Sequence, residues 1–249
     1  MAVNETLKND PAVAFEDLSY SYPDGFAALS HISCAIAAGE KTGVIGGNGA
    51  GKSTFLCMLN GLLQGSGSIR IFGKEVNRAN LTEIRSLVGL VFQNPDDQLF
   101  CPTILEDVAF GPFNQGLDKE AVLMRCRQAL DEVGLSGYEH RSSLRLSFGE
   151  KKLAAIAAIL SMQPEIIAMD EPSSNLDPKH RRRIIHWLSA SSQTCIVTSH
   201  DLDMIRETCR RVLLLNAGKL VADGEAETIL SDQKLLEANG LELPLSLIK

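Results

Sequence analysis

Residues 46–54 read "GGNGAGKST", and this stretch decides the fold. It fits the spacing G-x-x-x-x-G-K-[ST], follows the apolar run "KTGVI" (41–45) and leads into the helix-periodic "STFLCMLNGLL" (53–63). Strand, glycine-rich loop and helix in that order are the context that makes the motif specific. Gly46, Gly49 and Gly51 let the main chain wrap around phosphates with its N–H groups turned inward. Gly47, Asn48, Ala50 and Thr54 complete the loop. Lys52 offers a point charge to the β- and γ-phosphates, and Ser53 a hydroxyl for Mg²⁺. The motif therefore implies a nucleoside triphosphate site in an α/β chain.

The natural complement is "EIIAMDEP" (165–172), an apolar strand that ends in two carboxylates, Asp170 and Glu171. Side chains alternate along a strand, so adjacent acids cannot share one task. Asp170 suits the surroundings of Mg²⁺, and Glu171 suits the attacking water, which it can orient or deprotonate. His200 follows another apolar strand, "TCIVTS" (194–199), and so falls at a strand's C-terminal end, on the ligand edge of a parallel sheet.

Around these motifs the chain alternates β and α. Residues 12–37 read as antiparallel strands around the turn "YPDG", and 211–224 as a hairpin through Asn216, Ala217 and Gly218. Short strands are expected at "SIRIFG" (68–73) and "SLVGLVFQ" (86–93), with helices over 118–133, 148–162, 178–189 and 201–209. The expected architecture is a P-loop core with a mainly parallel sheet and an N-terminal antiparallel β subdomain. It forms a single domain over 1–249, interrupted by a helical subdomain at 94–162. Pro95, Pro102 and Pro112 punctuate the entry to that insert, where hinge-like loops are expected.

Composition narrows the function classes. The chain has 249 residues and a net charge of −7, which argues against a nucleic-acid surface. The basic run "KHRRR" (179–183) reads as a solvated helix face. Six scattered cysteines without a CxxC pair suggest free thiols rather than disulfides or zinc. The polar start "MAVNETLKNDPA" lacks an apolar signal core, and no apolar run approaches the ~20 residues of a spanning helix. A membrane role would come through a partner.

One more stretch carries chemistry. In "LSFGEKK" (146–152), Ser147 and Glu150 stand three apart ahead of an apolar helical pattern. That is the spacing of a capping box. It is also an anion site, because a helix start offers free N–H groups and the positive end of a dipole.

Taken in order, these motifs resemble the ATP-binding cassette (ABC) ATPases. "LSFGE" resembles their signature, "SNLDP" (174–178) their D-loop, and "VFQN" (91–94) their Q-loop, with Gln93 as its glutamine. Tyr22 matches the aromatic residue that stacks on adenine. The resemblance implies ATP and Mg²⁺ as cofactors, with Gln93 beside Ser53 and Asp170 at the metal. It also implies a second ABC ATPase subunit, because in such dimers Ser147, Gly149 and Glu150 serve the nucleotide held by the opposite chain.

A narrower resemblance follows from "QNPDDQLFCPTILEDVAFGPFNQGL" (93–117) and "LLEANGLELPLSL" (235–247). These are similar to the ATPases of cobalt/nickel and vitamin importers, the energy-coupling-factor group. That likeness implies a transmembrane coupling protein and a substrate-binding membrane component as partners. It implies a peripheral position on the cytoplasmic face of the membrane, with residues 93–100 forming the wall of a groove for a coupling helix. Phe148 departs from the usual signature glycine, Leu153 from a common basic residue, and "SSNLD" from a smaller D-loop. A chromosome or DNA-repair ATPase would need heptad-bearing arms between Lys52 and Ser147, and none are present. A translation factor of this type would carry two cassettes. A small-molecule kinase has no use for "LSFGE", "DEP" and His200 in this order.

Overall fold

The computed structural model describes residues 10–248. Most of the polar N-terminal stretch, residues 1–9, lies outside the described residues.

The chain opens with β1 (Val13–Ser21) and β2 (Ala27–Ile36), joined at "YPDG" where the Tyr22 N–H donates to the carbonyl of Phe26 (2.9 Å). β3 (Lys41–Ile45) leads through the glycine-rich loop into α1 (Lys52–Leu59). Next come β4 (Ser66–Ile71), β5 (Lys74–Glu75), α2 (Leu81–Leu87) and β6 (Val88–Val91). The strand expected over 86–93 is thus shorter, and it is entered directly from a helix.

Three helices follow: α3 (Ile104–Asn114), α4 (Lys119–Glu132) and α5 (Phe148–Leu160). The β-α order then resumes with β7 (Ile166–Asp170), α6 (Pro178–Ala190), β8 (Thr194–Thr198) and α7 (Leu202–Thr208). β9 (Arg211–Asn216) and β10 (Lys219–Glu225) form the expected hairpin. Ala217 (φ 45°) and Gly218 (φ 74°) are both left-handed, as a two-residue turn between twisted strands requires. α8 (Ala226–Ser231) and α9 (Gln233–Ala238) end the regular structure.

The strands form two sheets. The antiparallel one has the order β2-β1-β4-β5. The larger has the order β10-β9-β3-β8-β7-β6, parallel throughout except at β10. β7 is buried along its whole length, and its residues alternate between two cores. Ile167 and Met169 face the core built with α5, α6 and α7, while Ile166 and Ala168 face the one shared with α1 and the antiparallel sheet. A continuous apolar strand is what a sheet covered on both faces demands.

Pro112 does not mark a hinge loop; it lies inside α3. A proline there leaves the carbonyl four residues earlier without its helical donor. That carbonyl belongs to Val108, and the Ser161 hydroxyl donates to it at 2.7 Å. The helix start was also legible. Thr103 and Glu106 make a full capping box, the same T-x-x-E spacing that marks a helix N-terminus in sequence.

The basic run at 179–183 is not a freely solvated face. Arg181 pairs with Asp201 through two bonds (2.6 and 2.9 Å), Arg182 bonds to Glu207 (2.5 Å), and Arg183 donates to the carbonyls of Val133 and Gly134. All six cysteines are free thiols.

Candidate active site

Sheet order gathers the site. β3, β8, β7 and β6 are consecutive parallel neighbours, so their C-terminal ends share one edge, where ligands of α/β sheets bind. The glycine-rich loop leaves β3, His200 follows β8, Asp170 ends β7 with Glu171 next, and Gln93 follows β6. They line one open cleft of about 300 Å³, together with Tyr22, Asn48, Gly49, Ala50, Gly51, Ser53 and Thr54. Phe26 and Ala28 line it as well. The sequence reading missed both; their place just after the "YPDG" turn that carries Tyr22 was the available signal.

The loop's glycines are required in different ways. Gly49 needs its left-handed φ of 75°, with open space around it. A Cβ on Gly46 would stand 2.2 Å from the carbonyl of Leu215, so this glycine lets the loop pack against β9. Gly46 and Gly47 are not cleft-lining; their carbonyls accept bonds from Lys52 Nζ at 2.9 and 3.2 Å. Burial pulls the Lys52 ammonium below its ordinary range, while Glu171 and Asp170 pull it back up.

The two carboxylates are held apart, as their alternation on the strand demands. Asp170 Oδ1 accepts the Thr198 hydroxyl at 2.6 Å, and that hydroxyl oxygen in turn accepts the Glu171 N–H at 3.1 Å. Glu171 has a left-handed φ of 45°, a strained conformation of the kind that clusters at functional sites. Its Oε2 accepts the His200 N–H (3.1 Å) and lies 3.4 Å from the Ser199 hydroxyl. Its Oε1 is buried without a hydrogen-bond partner, 3.3 Å from His200 Nε2.

These residues fit Mg²⁺. The donors are a hydroxyl (Ser53), an amide (Gln93) and a carboxylate (Asp170) around one cleft, the hard oxygen set this ion prefers when phosphates supply the rest. Among the described residues no group of three or more His, Cys, Asp or Glu side chains could hold a metal unaided.

Ser147, Gly149 and Glu150 do not line this cleft. They form the start of α5, where both halves of the capping box are present. The Glu150 N–H donates to Ser147 Oγ (3.3 Å), and the Ser147 N–H to Glu150 Oε2 (2.8 Å). Ser147 Oγ also donates to Glu150 Oε2 (2.9 Å), and the Tyr138 hydroxyl donates to Oε1 (2.8 Å). The Ser147 amide and the Tyr138 hydroxyl hold the Glu150 carboxyl below its ordinary range, so it stays an anion. Gly149 is buried, and a Cβ there would come 2.7 Å from His180 Cγ. That ring is fixed by Asp177, whose carboxylate accepts from His180 Nδ1 at 2.6 Å.

Two other residues correct or extend the sequence reading. Gln98, placed in a docking groove wall, is a structural bridge. Its Oε1 accepts the Phe92 N–H (3.2 Å) and its Nε2 donates to the carbonyl of Ala155 (2.7 Å). Phe100 is two-thirds exposed and meets Phe110 edge-to-face, with ring centroids 5.1 Å apart.

In sequence and fold the chain is similar to known proteins. The family model described as "ABC transporter" matches residues 29–174. Over 238 residues the chain is 48% identical to the energy-coupling factor transporter ATP-binding protein EcfA of Carboxydothermus hydrogenoformans, covering 94% of this chain and 88% of that protein. It is also 48% identical to the EcfA of Methanothermobacter thermautotrophicus, over 93% of this chain and 76% of that one. Among solved structures it is similar to cbiO1 of Clostridium perfringens, described as part of the ABC transporter complex cbiONQ. The TM-score is 0.80 and the identity 33%, over 92% of this chain and 94% of that one. A dimeric ATP-binding cassette in a post-hydrolysis state with ADP and phosphate gives a TM-score of 0.77 at 26% identity, over 86% of this chain and 98% of that one.

Proposed function

From the premise that the chain belongs to the ABC transporter family as its nucleotide-binding, ATP-hydrolysing subunit, we propose that it drives an energy-coupling-factor-type importer of a cobalt or nickel ion or a vitamin. In this reading it works in a pair of ATPase subunits on the cytoplasmic face of the membrane, beneath a transmembrane coupling protein and a substrate-binding membrane component. Residues 94–162 act in it as a helical unit that meets the membrane partner. Among the described residues no helix is long and apolar enough to cross a membrane.

The observation that carries the reading is the apolar surface beside the Q-loop. Phe100, Phe110 and Phe113 are each more than half exposed, and Phe100 lies a few residues beyond Gln93 in the chain. Exposed rings, two of them in edge-to-face contact, suit a protein interface better than solvent. The likeness to EcfA and cbiO1 supports the same reading.

The mechanism follows from the cleft. ATP enters with its adenine against Tyr22, and its phosphates in the loop formed by residues 46–54. Lys52 Nζ leaves the carbonyls of Gly46 and Gly47 for the β- and γ-phosphates. Ser53, Gln93 and Asp170 would hold Mg²⁺, which would neutralise phosphate charge. Glu171 accepts a proton from the water that attacks the γ-phosphorus, whose bond to the β–γ bridging oxygen breaks as ADP leaves, and His200 stands at the same phosphate. The opposite subunit's Ser147 helix closes the site. Release of phosphate removes these contacts and the pair opens, an ordering switch like that of other NTPases.

The test is co-purification of the tagged chain with membrane proteins from its native cells, together with uptake assays. Phe100→Ala with Phe110→Ala should abolish uptake and release the membrane partners while the isolated chain still hydrolyses ATP. A chain that recovers no membrane protein, and whose variants leave metal and vitamin uptake intact, points instead to an ABC ATPase outside transport.

A further inference from the structure

Lys152 is wholly buried, at 0% exposure, although it lies only two residues after Glu150 on α5. Its Nζ donates to the main-chain carbonyls of Phe92 (3.0 Å) and Gln93 (2.5 Å). A buried ammonium is costly unless its protons are taken up, and here the Q-loop backbone takes two of them.

The contact is one of three between α5 and the same segment. Lys151 Nζ pairs with Asp96 at 2.6 Å. Gln98 bridges the Phe92 N–H to the Ala155 carbonyl. One helix therefore grips residues 92, 93, 96 and 98 from successive positions along its first two turns. Lys152 holds the residue whose side chain lines the nucleotide cleft, and it does so from the helix whose start carries Ser147.

We infer that Lys152 is a positioning residue that sets the place of Gln93 in the cleft, so that the signature helix and the Q-loop move as one body. The inference rests on the roles given to Gln93 and Ser147 above. It gives the displacement at the opposite subunit's nucleotide a direct route to the loop beside the exposed phenylalanines. It also accounts for a charge that neither the cap nor the core needs. Burial lowers the Lys152 pKa to about 8, with Asp170 and Glu171 opposing the fall. Both acidic residues of the cleft are thus within electrostatic reach of the same ammonium.

The experiment is a double-mutant cycle on the full chain, using Lys152→Met and Gln93→Ala with Mg-ATP as substrate. Lys152→Met should lower kcat about tenfold or more while KM and equilibrium ATP binding change less than about threefold, the pattern of an interaction needed in the transition state. In the double variant the two losses should not multiply, because both act through one group. Lys152→Arg, which keeps the donors, should restore most of the rate. A normal kcat in Lys152→Met overturns the inference, as do losses that multiply with those of Gln93→Ala. Should Lys152→Met not fold, Lys152→Leu, which likewise has no donor, enters the same cycle and decides by the same criteria. A Gln93→Ala variant with full activity would instead remove Gln93 from the cleft chemistry, a failure of the site reading that is separate from this one.

Discussion

The Nε2 atom of His200 stands 3.2 Å from Lys52 Nζ and 3.3 Å from Glu171 Oε1. One nitrogen cannot serve both neighbours in one protonation state. Accepting from the lysine requires a bare Nε2, which then turns a lone pair toward the carboxylate and leaves Oε1 without a donor. Donating to Glu171 instead requires a hydrogen on Nε2, which leaves nothing for Lys52 to bond. Phosphate that draws Lys52 away leaves Glu171 as the ring's remaining neighbour.

Glu171→Gln tests the water-activating role. The amide can hold a water but not take its proton, so hydrolysis should fall by about 10²–10⁴-fold, the usual contribution of a general base. ATP binding, read by thermal shift, should persist, and ATP should trap a dimer on size exclusion. Normal turnover would remove Glu171 from this role.

Glu150→Gln probes the anion at the start of α5. The carboxylate occupies the same positive helix end that the proposal assigns to a γ-phosphate, so removing its charge should raise the ATPase rate a few-fold. Stability should respond oppositely. A carboxyl held below its ordinary value of 4.5 stabilises the fold fully above that value and loses this effect as pH falls through the depressed one. The melting-temperature gap between wild type and Glu150→Gln should therefore be present at pH 7 and close on acidification below about 4.5. The box faces solvent, so the gap is small. A gap that widens in acid would contradict the assignment.

Tyr22 has a ring for adenine and a hydroxyl already in use, bonded to Thr54 Oγ1 at 3.0 Å. Tyr22→Ala should weaken ATP binding by about 1–3 kcal/mol, the range for base–aromatic stacking. Tyr22→Phe should keep the stacking and lose only the hydroxyl bond, which costs stability about 0.5–1.5 kcal/mol. Equal ATP affinities in all three proteins, measured by calorimetry, would exclude Tyr22 from the base site.

Phe148 is the first helical residue after the Ser147 cap and is half-buried. No glycine is needed there by the backbone. Phe148→Gly should lower stability by about 0.5 kcal/mol through helix propensity, with lost packing added, and leave ATPase unchanged or reduced. An inactive wild type revived by this change would show that the ring crowds the closed dimer.

The parts of the site legible in sequence were those whose chemistry is local. The glycine loop needs its spacing, the Asp170–Glu171 pair needs a strand end, and Ser147 and Glu150 cap a helix three residues apart. The parts that escaped depend on long-range contacts. Nothing around Lys152 announces that its ammonium reaches carbonyls some 60 residues away, at Phe92 and Gln93. Gln98 looked like a docking residue because its two internal bonds are made by distant backbone. Pro112 looked like a breaker because Ser161, which satisfies the orphaned Val108 carbonyl, lies on the far side of α4 in the chain. Thr103 and Glu106 were a readable helix start obscured by the neighbouring Pro102.

The turn between β9 and β10 gives the fold an order of assembly. Gly218 donates its N–H to the carbonyl of Ala50 (3.2 Å) and accepts from the Ser30 N–H (2.8 Å), tying the glycine loop to β2. β3, which launches that loop, pairs on one edge with β8 and on the other with β9. A chain emerging from the ribosome therefore makes the phosphate-binding motif early, at residues 46–54, yet β3 stays unflanked until residues 194–216 have followed. A fragment stopped before β8 carries the whole motif, packed against the antiparallel sheet, but lacks both strands that flank β3.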